Sequence, residues 1–210
     1  MKAKPGINGL YAVTPDIPDT DELLRKTRLA LQGGARVLQY RNKSADAALK
    51  LEQAQALRTL TQEFATTYIV NDDARLAAQV DADGVHLGGE DGNVASARAL
   101  LGKQKIIGVS CYNRAALAQT AVKQGADYVA FGAFFSSSVK PVAVKADVSL
   151  LQTTRRELIV PIVAIGGITQ QNGAELIAAG ADALAVISAL FDAPDIEVAA
   201  HEFSTLFSRT

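Results

Sequence analysis

The chain has 210 residues, 49% of them hydrophobic and 20% charged, the balance of a globular protein with enough apolar material for a sizeable core. Its net charge of −1 gives no general pull towards nucleic acid or anionic membranes. One cysteine, Cys111, excludes an internal disulfide, and with only two histidines beside it argues against a nitrogen–sulfur zinc site. Residues 1–6 lack the apolar run of a signal peptide and no stretch is long enough to span a bilayer, so the expectation is a reducing, cytoplasmic setting.

In chain order, residues 10–14 are a short β-type run stopped by Pro15. Asp21 is placed to cap a helix that runs to Gln32 and ends at Gly33-Gly34. Residues 35–41 read as a strand, and Ser44 or Asp46 opens a long helix to about residue 65. Tyr68-Ile69-Val70 is strand-like and ends in Asn71-Asp72-Asp73; residues 74–79 are helical. Gly84-Val85-His86-Leu87 leads into Gly88-Gly89-Glu90-Asp91, followed by a helix over 94–101 and a strand over 106–109 ending at Ser110. The second half keeps the rhythm: helix 114–124, strand 128–131, a loop over 132–145, helix 149–157, and strand 161–165 ending in Gly166-Gly167. A helix over 169–179, a strand over 183–187 ending at Ser188, and a helix over 196–207 close the chain.

Gly34-Ala35, Gly125-Ala126-Asp127 and Gly180-Ala181-Asp182 each stand between a helix and the next strand, with Asp81-Ala82-Asp83-Gly84 as a looser copy. A glycine there supplies the positive φ that ends a helix. Strand and helix alternating with no break in composition predict an α/β fold, a single-domain (β/α)8 TIM barrel over residues 1–210. A doubly wound open sheet shares the alternation. The absence of a Gly-x-Gly-x-x-Gly fingerprint after the first strand counts against its dinucleotide-binding form.

In such a barrel chemistry collects at the C-terminal ends of the strands. On the second strand Val37, Gln39, Arg41 and Lys43 alternate onto one face, which starts apolar and turns cationic. An edge strand running into solvent would show the same pattern, but the other strands also run out into polar or glycine-rich residues. Asp72 and Asp91 follow consecutive strands and could share a Mg2+ ion, which takes one or two carboxylates and completes its shell with water and phosphate oxygens. Each could instead cap the helix that follows it. Gly166-Gly167 and Ile187-Ser188 end the seventh and eighth strands, where these barrels bind a phosphate; a plain tight turn is the structural alternative. His86 reads as a core histidine, His201 has no assigned role, and Cys111 reads as a packing residue facing away from Ser110.

These residues in this order resemble the thiamine phosphate synthase family over nearly the whole chain. The resemblance rests on Gly9-Leu10-Tyr11-Ala12-Val13-Thr14-Pro15, Gln39-x-Arg41-x-Lys43, Asn71-Asp72, Gly84-Val85-His86-Leu87-Gly88 with Asp91, Gly108-Val109-Ser110 and Ala164-Ile165-Gly166-Gly167-Ile168. It implies a transferase that joins hydroxymethylpyrimidine diphosphate to the nitrogen of hydroxyethylthiazole phosphate, releasing pyrophosphate by a dissociative mechanism. Carried over, Gln39, Tyr40, Arg41, Asn42, Lys43 and Asn71 would bind the pyrimidine diphosphate, with Ser110 at the pyrimidine and Lys140 at the diphosphate. Ser137, Ser138, Val139, Gly166, Gly167, Ile187 and Ser188 would hold the thiazole phosphate, and Asp72 and Asp91 the Mg2+. Arg41, Lys140 and Ser110 would carry catalysis.

The implied partners are these two small molecules, with no nucleic acid or membrane partner; a homo-oligomer is left open. Two departures stand out. Val139 replaces a hydroxyl of the family's Thr-x-Thr-Lys, and Gly89 a frequent glutamine. Two other readings share the barrel: a thiazole tautomerase and a non-catalytic phosphate-ligand protein. A tautomerase needs a positioned acid–base group, and Tyr112 stands where its histidine would be sought.

Overall fold

The computed structural model describes residues 6–88, 93–136 and 145–208. Eight strands close into a barrel in the order of the sequence: β1 (Gly9–Val13), β2 (Val37–Tyr40), β3 (Thr67–Asn71), β4 (Gly84–Leu87), β5 (Ile106–Tyr112), β6 (Tyr128–Phe131), β7 (Ile162–Ile165) and β8 (Ala183–Val186). Every neighbouring pair is parallel, including β8 with β1, so no edge is left open and the open-sheet alternative falls. Between and after them lie α1 (Thr20–Gln32), α2 (Ala47–Glu63), α3 (Ala74–Gln79), α4 (Val94–Leu101), α5 (Ala115–Lys123), α6 (Val148–Glu157), α7 (Gly173–Ala178), α8 (Ser188–Phe191) and α9 (Ile196–Leu206). Among the described residues no helix is long and apolar enough to cross a membrane.

Strand alternation divides the core in two. Tyr11, Val13, Val37, Ile69, Tyr128, Val163 and Ala185 fill the barrel, while Leu10, Leu38, Tyr68, Val85, Val129 and Leu184 join the larger layer under the helices. Cys111 belongs to this outer layer, fully buried. The helices start where short acceptors meet their first N–H groups: Asp19, Asp46, Asp73, Asn93, Asp147 and Asp195 all accept from the first turn.

Asp19 thus holds the place expected for Asp21, because its carboxylate reaches Glu22 N–H at 2.7 Å; Asp21 lies inside the first turn. Arg41 falls just past β2, whose last residue is Tyr40. The β5 strand continues beyond Ser110 to Tyr112 through a register shift. The α7 helix begins at Gly173, after a turn in which Asn172 Oδ1 accepts from Thr169 N–H. The echo between helix and strand is real: Gly34, Gly125 and Gly180 all have positive φ, and Asp81 takes φ 51° in the fourth copy.

Candidate active site

Past β2 the chain is locked to the end of β1. Thr14 Oγ1 donates to Arg41 O and accepts from Arg41 N–H, both at 2.8 Å. Asp16, which sequence reasoning passed over, accepts from Arg41 Nη1 at 2.9 Å and from Lys43 N–H at 3.0 Å. The guanidinium is therefore aimed by a carboxylate on the neighbouring loop, while Lys43 stands exposed. Tyr40 and Asn42 do not join them. The Tyr40 hydroxyl donates to Gln53 Oε1 at 2.9 Å in α2. Asn42 Nδ2 donates to Ile17 O and Gln53 Oε1, and its Oδ1 accepts from the N–H groups of Ser44 and Ala45. Both side chains turn towards the helix layer because the alternation that points Gln39 inward points them outward.

At the end of β3, Asp72 takes φ 62° and its carboxylate accepts from Asn71 Nδ2 at 2.7 Å and Gly88 N–H at 3.3 Å. It does not cap α3; Asp73 does, accepting from Arg75 N–H and Leu76 N–H. Asn93 fills the same role for α4. The capping explanation offered for Asp72 and Asp91 therefore goes to their neighbours, and the Asp72 carboxylate is held at the rim. Among the described residues no group of three or more acidic, histidine or cysteine side chains could hold a metal. Asp91 lies outside the described residues; a Mg2+ ion takes one or two carboxylates and completes its shell with water and phosphate oxygens, and Asp72 is a carboxylate of that type at the rim.

Ser110 on β5 sits over His86 on β4, with Oγ 2.8 Å from Nε2. His86 Nδ1 meets the Tyr128 hydroxyl at 2.8 Å, which in turn meets the Tyr11 hydroxyl at 2.8 Å. Gln39 Nε2 donates to Tyr11 at 2.8 Å. Burial pushes His86 down to about 4 and raises Tyr11 and Tyr128 above their ordinary range, so the file is uncharged at neutral pH. His86 is the satisfied core histidine that its strand position suggested. Tyr11 and Tyr128 were missed, since nothing in the strand pattern marks them as inward-facing.

Across the mouth, β7 and β8 flank a pocket of ≈ 200 Å³ lined by Ser136, Gly166, Gly167, Ile187, Ser188 and their neighbours. Gly166 (φ 101°) and Gly167 (φ 63°) adopt the left-handed region. A Cβ on Gly166 would lie 2.4 Å from that of Ala133, and one on Gly167 2.4 Å from Ser136 O. Only glycine lets the two loops approach this closely. The short α8, absent from the sequence reading, starts at Ser188, so its first N–H groups have no partner inside the helix. Ser137, Ser138, Val139 and Lys140 lie outside the described residues.

The family model described as thiamine monophosphate synthase matches residues 10–190. A thiamine-phosphate synthase of Methylobacillus flagellatus is 56% identical over 204 residues, 97% of this chain and 97% of the relative. One of Thiobacillus denitrificans is 51% identical, covering 99% of this chain and 98% of the relative. A solved thiamine phosphate pyrophosphorylase of Pyrococcus furiosus superposes with a TM-score of 0.86 at 34% identity, covering 96% of each chain.

Proposed function

This chain belongs to the thiamine monophosphate synthase family and is a transferase of that kind, and from that premise we propose how its mouth divides the reaction between two substrates. The pyrimidine diphosphate occupies the side built by β2, β3 and β5, and the thiazole phosphate the pocket between β7 and β8. The observation that carries the reading is this separation. Arg41 and the Asn71–Asp72 pair stand at the ends of β2 and β3, while the glycine pocket lies between β7 and β8, two to three strands round from β2 and three to four from β3.

The chain's own groups act mainly on the leaving group. Arg41, aimed by Asp16, and Lys43 with Lys140 bind the diphosphate oxygens and stabilise the negative charge that grows as the C–O bond breaks. Asp72 and Asp91 would hold Mg2+, which when bound neutralises the diphosphate. The thiazole phosphate binds N–H groups at Gly167 and Ser188, which brings the thiazole nitrogen to the pyrimidine methylene carbon. That nitrogen is already unprotonated and needs no base, which agrees with a site whose histidine is neutral and buried. Both substrates are charged phosphate esters that a bilayer retains, so we place the reaction in the cytoplasm.

Pyrophosphate release tests the reading. Release is expected only with both substrates present and is lost in excess chelator. Full activity in chelator would remove the metal from the account, and no release with both substrates would remove the reaction.

A further inference from the structure

Gly108 on β5 has no side chain because the Tyr128 ring fills its place: a Cβ there would lie 2.0 Å from a ring carbon. The ring so admitted stacks on His86 at 5.5 Å between centroids and completes the file Gln39–Tyr11–Tyr128–His86–Ser110. The file has a direction. Either hydroxyl of the Tyr11–Tyr128 pair could donate, but Tyr11 oxygen accepts from Gln39 Nε2, which cannot accept in return, so the Tyr11 proton finds an acceptor only when it goes to Tyr128. Tyr128 then donates its own proton to His86 Nδ1. A hydrogen on Nδ1 would collide with it, so His86 carries its hydrogen on Nε2 and donates it to Ser110 Oγ. The Ser110 proton has no acceptor among the described residues and is left for the mouth.

We propose that Gln39, Tyr11, Tyr128 and His86 are positioning residues that commit the Ser110 hydroxyl to donate a hydrogen bond to the pyrimidine substrate. A committed donor matches a ring nitrogen of the pyrimidine, which only accepts. It would disfavour a ring with carbon at that edge, because the proton would be left unpaired. The inference rests on the reading that the pyrimidine binds beside Ser110. It also changes the part of Gln39, whose amide nitrogen is engaged with Tyr11 and acts on the substrate through the file.

Two measurements test it. In ¹⁵N-histidine-labelled enzyme without substrate, His86 is expected as the neutral Nε2–H tautomer at pH 7; His201 is distinguished by substitution. An Nδ1–H tautomer, or a charged ring, would overturn the proposal while leaving the synthase reading intact. In turnover, Tyr128→Phe keeps the ring and removes the relay. It is expected to lower kcat/KM for the pyrimidine diphosphate by about 2- to 10-fold, the range of one neutral hydrogen bond, without changing KM for the thiazole phosphate. On a Ser110→Ala background the same substitution should cost nothing further. An equal loss in both backgrounds would show that Tyr128 acts on packing alone.

Discussion

The two ends of the barrel use charge in opposite ways. At the floor, where strands begin, Asp83, Asp127 and Asp182 each accept a hydrogen bond from a backbone N–H of the preceding strand, those of Tyr68, Ile107 and Ile162. Each is also paired with an arginine from an even-numbered helix: Arg58, Arg98 and Arg155 at 3.2, 2.6 and 2.8 Å. The same clamp recurs at alternate strands, and the fourth place, after Gly34-Ala35, holds Arg36 instead. At the mouth, among the described residues, Arg41 has one carboxylate partner, Lys43 is exposed, and Asp72 is held by an amide and a backbone N–H. Floor charges are matched within the fold, whereas mouth charges keep capacity for a ligand. On the proposed function, the difference separates residues that hold the barrel from those assigned to its chemistry.

The largest expected effect is at the mouth. Arg41→Ala should lower the rate of pyrophosphate release by about 10²–10³, the usual loss for one preorganised charge-stabilising donor, and leave the urea midpoint nearly unchanged. Steady-state kinetics and a urea melt on the same variant check it.

Next comes a pH effect on stability, centred on the hydrogen-bonded file inside the barrel. Burial lowers His86 from 6.5 to about 4, so its contribution is full above pH 6.5. As pH falls towards 4 the unfolded chain takes up the proton first, and roughly 3 kcal/mol of stability is lost. Urea unfolding at pH 7 and pH 4.5 should show this loss in the wild type and a much smaller one in His86→Gln.

At the floor, Asp127→Ala removes the acceptor of Ile107 N–H and the partner of Arg98. Because the pair is partly exposed, the ionic part is screened, and the expected loss is about 1–3 kcal/mol from the stranded N–H, with kcat unchanged. A fall in kcat without a fall in stability would contradict the division. The smallest effect concerns the loop beyond the described residues. Val139→Thr restores the family's hydroxyl and should tighten thiazole phosphate binding by about 2- to 10-fold, without changing pyrimidine diphosphate affinity. Titration of each substrate decides it.

Most of the strand–helix order was legible because each strand is a short apolar run bounded by turn residues, and because the glycine echo marks every second strand. Which face each residue takes was harder to read. Parallel strands buried on both sides are apolar throughout, so Tyr11 and Tyr128, which point inward, look like Tyr40 and Tyr68, which point outward. Tyr40 and Asn42 joined Arg41 only through the family resemblance; the strand alternation had left them off its face, and their side chains do reach α2. The floor aspartates were visible as part of the echo. Their arginines stand 25 to 29 residues away, at spacings set by helix packing. The four-residue α8 is too short to carry a period. Asp16 was lost because a carboxylate after Pro15 reads as an ordinary turn residue.

The most direct measurement applies one chemical change to both ends: single-turnover pyrophosphate release by Asp72→Asn and Asp127→Asn at the same Mg2+ and substrate concentrations. The division of charge predicts a loss of about 100-fold or more for Asp72→Asn, as for removal of a charge that acts on the leaving group, and a rate within about 2-fold of wild type for Asp127→Asn. Comparable losses in both, or full activity in Asp72→Asn, would contradict it.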